Sequence, residues 1–256
     1  SNWEIGNLMA EEHGAEHGPL DQFEIHRLIE LEAFGVDVSF TNSALWMVLN
    51  VAAITVFLTL TMRGRAIVPG RWQSLAELSY TLIAGTVKDS IGQEGRRYFP
   101  FIFSLFMFVL FANYMGLLPR AFTPTSHIII TFFMSGLIFV GVTLLAIFKH
   151  GFKFFGFFFP PGVPVYLAPL IIPIEIISYL TRPVSHSVRL AANMLAGHVM
   201  LEVLAGFVVA LGIFGFAPFI LVIGIFALEI IVAALQAYVF AILTAIYLSD
   251  AIHLHH

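Results

Sequence analysis

The chain has 256 residues, of which 59% are hydrophobic and only 11% charged, and its mean hydropathy is +0.92. Soluble domains run near a quarter charged, so this composition excludes an ordinary water-soluble core. A net charge of -4 gives no footprint for a nucleic-acid partner, and the absence of cysteine removes disulfides, thiol catalysis and thiolate metal sites.

In chain order, residues 1–43 read as a polar, acidic arm. Its first forty residues hold nine of the sixteen acidic side chains and one basic residue, Arg27, with a short amphipathic piece around Phe23 to Leu31. The first long apolar run begins only near Ala44, so the start does not read as a secretory signal, and Ser1 reads as a trimmed or processed start. Residues 44–256 read as a single membrane domain. Spans are predicted at 44–62, 98–119 and 126–148, each near the roughly 20 residues that a helix needs to cross a hydrocarbon core. Between the first two, residues 72–91 place Trp72, Leu75, Leu78, Leu82, Ile83 and Val87 on one broad face opposite Glu77, Thr81 and Lys88, as in an interfacial helix. The aromatic run at 154–162 (FFGFFFPPG) suits a turn at the membrane boundary. Two tracts follow, 163–211 and 216–250, each too long for one perpendicular crossing, so they are predicted to tilt steeply as a hairpin. The fold class is therefore all-α and integral to a membrane, with about five membrane helices and one interfacial helix. No internal repeat is visible.

Lys and Arg set the orientation. Arg63, Arg65, Arg71, Lys88, Arg96, Arg97, Lys149 and Lys153 fall on one side, against Arg27 and Arg120 on the other. By the positive-inside rule the N-terminus lies outside and the C-terminus in the cytoplasm.

Polar residues in the last two tracts are few and regularly placed. At 100° per residue, Glu175, Ser178, Arg182, Ser185 and Asn193 all lie within about 40° of Arg189. Pro183 is expected to kink this helix and rotate the earlier members. His198 falls roughly 180° from Arg189 and about 13 Å further along, so it faces something else. In the last tract, Glu229, Gln236 and Tyr247 stay within about 20° of one another. Hydrogen bonding between helices accounts equally well for Ser178, Ser185 and Ser187. Arg182 has two further outlets, the membrane interface or a pair with Glu175. Arg189 is different: an arginine at the bilayer centre costs from about 3 to above 10 kcal/mol, so its retention between Val188 and Leu190 needs a function. His198 and Glu229 form a candidate titratable pair for proton relay, with a core histidine bonded to backbone as the plainer account of His198.

The stretches RPVSHSVRLAANMLAGH (182–198) and LEIIVAALQAYVFAILTAIYLS (228–249) resemble the two signature helices of the a subunit of F-type ATP synthases. PLDQFEI (19–25), LFANYMGLLP (110–119) and the order of crossings extend the resemblance over most of the chain. It implies that Arg189 is the family's essential arginine, Asn193 its neighbouring asparagine, Gln236 the glutamine facing it and Glu175 the acid toward the cytoplasm. Arg182, Ser185, Tyr247 and Asp250 join them as further candidates for proton translocation. Some bacterial members carry the acid at the position of His198 and the histidine at that of Glu229, an exchange that two groups in one aqueous cavity would tolerate.

The resemblance further implies a non-catalytic stator subunit with two half-channels, one entered past His198 and Glu229, the other left near Glu175. Its partners would be a rotating ring of c subunits, the subunit b peripheral stalk, the rest of the ATP synthase and membrane lipid, in a bacterial plasma membrane or the mitochondrial inner membrane. No cofactor, metal centre or nucleic acid is expected, and His253 to His256 receive no role. The titratable pair favours protons over sodium. A secondary transporter would show paired repeats or matching broken helices. A haem-anchoring subunit needs facing histidines, whereas His186 and His198 share one helix. An intramembrane enzyme would show motifs such as HExxH or GxSxG, which the sequence lacks.

Overall fold

The computed structural model describes residues 27–29, 32–33, 36–37, 40–63, 69–117, 128–151 and 165–253, with side chains from Thr41 onward except at Val165 and Ile213. The acidic arm before residue 27, Arg65, the end of the LFANYMGLLP segment, Arg120, the aromatic run at 154–162 and the last two histidines lie outside the described residues. Two short antiparallel ladders precede the helices: β1 (Arg27–Ile29) pairs with β4 (Phe40–Thr41), and β2 (Glu32–Ala33) pairs with β3 (Val36–Asp37). Within the expected amphipathic piece, residues 27–29 are thus extended. Every element described after them is a helix, and the chain is an all-α integral membrane protein.

Six α-helices follow: α1 (Asn42–Met62), α2 (Arg71–Ile91), α3 (Phe99–Gly116), α4 (Ile128–His150), α5 (Ala168–Ala210) and α6 (Phe216–Ile252). All but α2 are long and apolar enough to cross a membrane. Thr41 caps α1 by accepting from the Ala44 amide at 3.4 Å. Pro100 sits in the first turn of α3, where no helical donor is lost. At 1.5 Å per residue α5 is about 64 Å long and α6 about 55 Å, far beyond a hydrocarbon core of about 30 Å. The predicted kink at Pro183 does not break α5, which runs as one helix through both Pro173 and Pro183. At this level Ser135 Oγ of α4 donates to the Pro183 carbonyl at 2.9 Å, tying α4 to α5.

The turn between the long helices uses two glycines for different reasons. Gly212 has φ +53, a left-handed backbone that other residues resist. Gly215 lies so close to the Val208 carbonyl that a Cβ would overlap it.

α6 is the packing centre, touching α2, α3, α4 and α5. Its contact stripe is built from alanines four residues apart, Ala233, Ala237, Ala241 and Ala245, all buried. Small side chains let backbones approach closely, which matters where lipid offers no hydrophobic penalty to drive helices together. Around them pack Ile83 and Val87 of α2, Ile102 and Met107 of α3, Leu190 of α5, and Phe240 of α6 itself. The outer surface is apolar instead, as a lipid-facing surface must be.

The apolar face expected of α2 meets two surroundings. Ile83 and Val87 enter the core, together with Ala76, while Trp72, Leu75, Leu78 and Leu82 stay exposed. Apolar residues alone cannot distinguish a side that meets protein from a side that meets lipid, so the expected face divides into two arcs.

Candidate functional site

Arg189 is the middle residue of α5, equidistant from its ends. Its side chain is exposed, as are those of Ser185 and Asn193 on either side, while Leu190 next to it is fully buried. Among the described residues no acidic group forms an ion pair with the guanidinium, although three other ion pairs are made. A cation at the centre of an apolar helix, turned outward and unneutralised by any described residue, is the defining feature of this surface. Asn193 ties that surface to the next helix by donating from Nδ2 to Oε1 of Gln236 at 3.0 Å. Gln236 is buried between α5 and α6.

His198 and Glu229 are brought together, with His198 Nδ1 at 3.9 Å from Glu229 Oε1. The plainer account of His198 is correct as well: Nδ1 lies 2.7 Å from the Met194 carbonyl, and Nε2 lies 2.7 Å from the Gly116 carbonyl at the end of α3. Carbonyl oxygens only accept, so both contacts are hydrogen bonds only when both ring nitrogens carry hydrogen. The ring is then a cation beside a carboxylate, and giving up a proton breaks one of the two bonds. Glu229 is buried, and its Oε2 has no hydrogen-bond partner. Its carboxylate rests directly on the Cα of Gly197, where a Cβ would overlap it.

A third group forms near the C-terminal end of α6. Arg182 Nη1 lies 3.0 Å from Asp250 Oδ2, and its guanidinium stacks over the rings of Tyr179 and Tyr247 at 5.4 and 5.2 Å. The partner of Arg182 is therefore Asp250, not Glu175 on its own helix. A residue 68 positions away was invisible to spacing along one helix. Glu175 is half-buried and joins none of the three groups.

Four contributors escaped sequence reasoning. Asn113 donates to the Ala233 carbonyl at 3.2 Å and thereby fixes α3 against α6, and the Gly116 carbonyl reaches His198. A backbone carbonyl leaves no mark in a sequence. Gly197 does leave one, since glycine inside a helix costs about 1 kcal/mol relative to alanine. Glu202, an acid in an apolar tract one turn beyond His198 and about 40° from it, was equally legible; its Oε2 is buried.

Residues 44–249 match the family described as ATP synthase A chain. Proteins named ATP synthase subunit a are similar to the chain over nearly its whole length. That of Paramagnetospirillum magneticum is 54% identical over 244 residues, covering 93% of this chain and 99% of the relative. That of Parvibaculum lavamentivorans is 55% identical over 245 residues, covering 93% and 94%. That of Rhodospirillum rubrum is 52% identical over 240 residues, covering 93% and 100%. The chain therefore belongs to the ATP synthase A chain family, as a non-catalytic membrane subunit of that assembly.

Proposed function

We propose that the chain carries protons through two half-channels that meet a rotating ring of c subunits at Arg189, and that it is held against that ring as part of the stator, with subunit b. The observation that carries this reading is the exposed, unneutralised guanidinium at the middle of α5. Its cost in lipid is offset when a carboxylate from outside the chain repeatedly comes to face it. Each ring carboxylate would arrive ionised, be held by Arg189 and then take a proton before turning into lipid. Guanidinium keeps its own proton, so Arg189 also blocks direct passage between the half-channels.

His198 and Glu229 line the outer half-channel in this scheme. Their contact, together with the two carbonyls that His198 reaches, supports a relay role and favours protons over sodium. Asn193 and Gln236 hold the helix pair at the level of the arginine. Glu175, with the group formed by Arg182, Tyr247 and Asp250, lies toward the cytoplasmic exit, and Ser185 lines the ring-facing side. The attraction to Arg189 must stay comparable to the drive available, about 2.3 kcal/mol per charge per 100 mV of membrane potential, or the ring would stall. The relatives are bacterial, and the reading places the chain in a bacterial plasma membrane with its C-terminus in the cytoplasm. Arg189→Ala is expected to abolish ATP-driven acidification of inverted membrane vesicles. Pumping near the unmodified level in that variant would remove the basis of the proposal.

A further inference from the structure

Between α4, α5 and α6 lies a small, partly open recess bordered by Ser135, Ile138, Tyr179, Arg182, His186 and Tyr247, with room for about one water molecule. It lies off the surface that exposes Arg189, beside the side chain of His186, which is buried to 2% exposure. The imidazole is held against the ring of Phe240 at 3.8 Å between centroids and edge-on to Tyr247 at 6.1 Å. Its Nε2 is shut off from solvent and has no hydrogen-bond partner among the described residues. An imidazole nitrogen always either donates or accepts, and leaving it unsatisfied inside the protein is costly.

The surroundings supply what a water needs. Arg182, Ser135 and His186 bring polar side chains to its wall, beside Tyr179 and Tyr247. Pro183, also on the wall, removes one backbone donor from α5 at this level. Apolar cavities of this size stay dry, whereas polar ones with two to four partners fill.

We propose that this cavity is a buried water site, with His186 Nε2 as its inner ligand and the Arg182 guanidinium, paired to Asp250, at its partly exposed side. The water joins the group at the C-terminal end of α6 to the buried side of α5, one turn from Arg189. It forms a hydrated recess behind the arginine, separate from the surface on which a ring would run.

The chain contains no cysteine, so single thiols report their surroundings without background. Ile138→Cys places one on the cavity wall, and Val109→Cys places one in the fully buried apolar core of α3. In membranes holding the complete assembly, silver ion is the probe, and the remaining thiol is counted with a maleimide after denaturation. Thiol reactivity follows access and solvation, so the cavity thiol is expected to react about tenfold faster than the core thiol. His186→Leu in the same chain removes the inner ligand and should bring the rate down to that of the core thiol, whereas His186→Gln, which keeps a hydrogen-bonding group, should preserve the fast reaction. A cavity thiol as slow as the one at position 109, or one indifferent to His186→Leu, overturns the proposal. The readout is chemical modification, not pumping, so its failure would leave the role of Arg189 standing.

Discussion

At Gly197 the backbone of α5 comes so close to the Glu229 carboxylate that even a methyl group has no room. Gly197→Ala must therefore push the acid off its seat beside His198. Overpacking of this kind costs about 1–3 kcal/mol, so vesicle acidification should drop roughly tenfold or more. Glu229→Asp in the same chain withdraws the carboxylate by one methylene and should recover part of the loss; no recovery would mean that Gly197 matters for another contact. The pair itself gives a second prediction at this scale. His198→Glu combined with Glu229→His should retain more pumping than either single change, because each single change leaves two like groups 3.9 Å apart in one recess. Losses that simply add would show that the two residues act independently. Which residues carry charge in lipid was legible in the sequence from Arg189, His198 and Glu229 alone. Two of the contacts were not: the Gly116 carbonyl at His198 and the Asp250 carboxylate at Arg182 are brought near by tertiary packing that helical spacing along a single tract cannot anticipate.

The C-terminal end of α6 gathers bonds from three other helices. Ser249 Oγ donates to the Ser90 carbonyl of α2 at 2.7 Å, Asp250 holds Arg182 of α5, and His150 of α4 reaches the Ala251 and Ile252 carbonyls at 3.1 and 3.2 Å. The last carbonyls of a helix lack helical donors, and His150 supplies one. His150→Ala should weaken this end by about 1 kcal/mol, read as amide exchange near residues 249–253 that is several-fold faster while the middle of α6 is unchanged. Uniform acceleration along the helix would contradict a local cap. Near this end, Lys149 Nζ lies 2.8 Å from Glu94 Oε2 in the short 3-10 turn before α3. The hydrogen bond from Lys149 and its charge hold the Glu94 carboxyl below its ordinary 4.5. A carboxyl whose folded value is depressed contributes support that is present above its unfolded value and lost as pH falls through the folded one. A double-mutant cycle of Glu94→Gln and Lys149→Gln should thus show coupling at pH 7 that shrinks with added salt and vanishes at strongly acidic pH. Coupling that persists there would assign the contact to packing instead of charge.

Across the whole molecule, apolar length was the strongest signal, because a helix must bond its own backbone wherever it meets lipid and so declares itself by an unbroken run. The same reasoning left the arcs of α2 undivided and expected a kink at Pro183 that α5 absorbs. Orientation in the membrane follows from Lys and Arg rather than from packing, and it yields the last prediction. Lys149 meets Glu94 and Asp250 meets Arg182, so the 3-10 turn after α2, the end of α4 and the end of α6 lie toward one side of the bundle, while the turn after α5 lies at the opposite end of α6. Most basic residues between the spans belong to the first side, which the positive-inside rule assigns to the cytoplasm. Gln93→Cys in the 3-10 turn and Phe214→Cys at the α5–α6 turn are both exposed and, in a cysteine-free chain, are the sole thiols. A membrane-impermeant maleimide should label position 93 in inverted vesicles and position 214 in right-side-out cells. The reverse pattern would turn the chain over and place His198 and Glu229 on the cytoplasmic half-channel, while labelling of both from one side would require α6 not to cross at all.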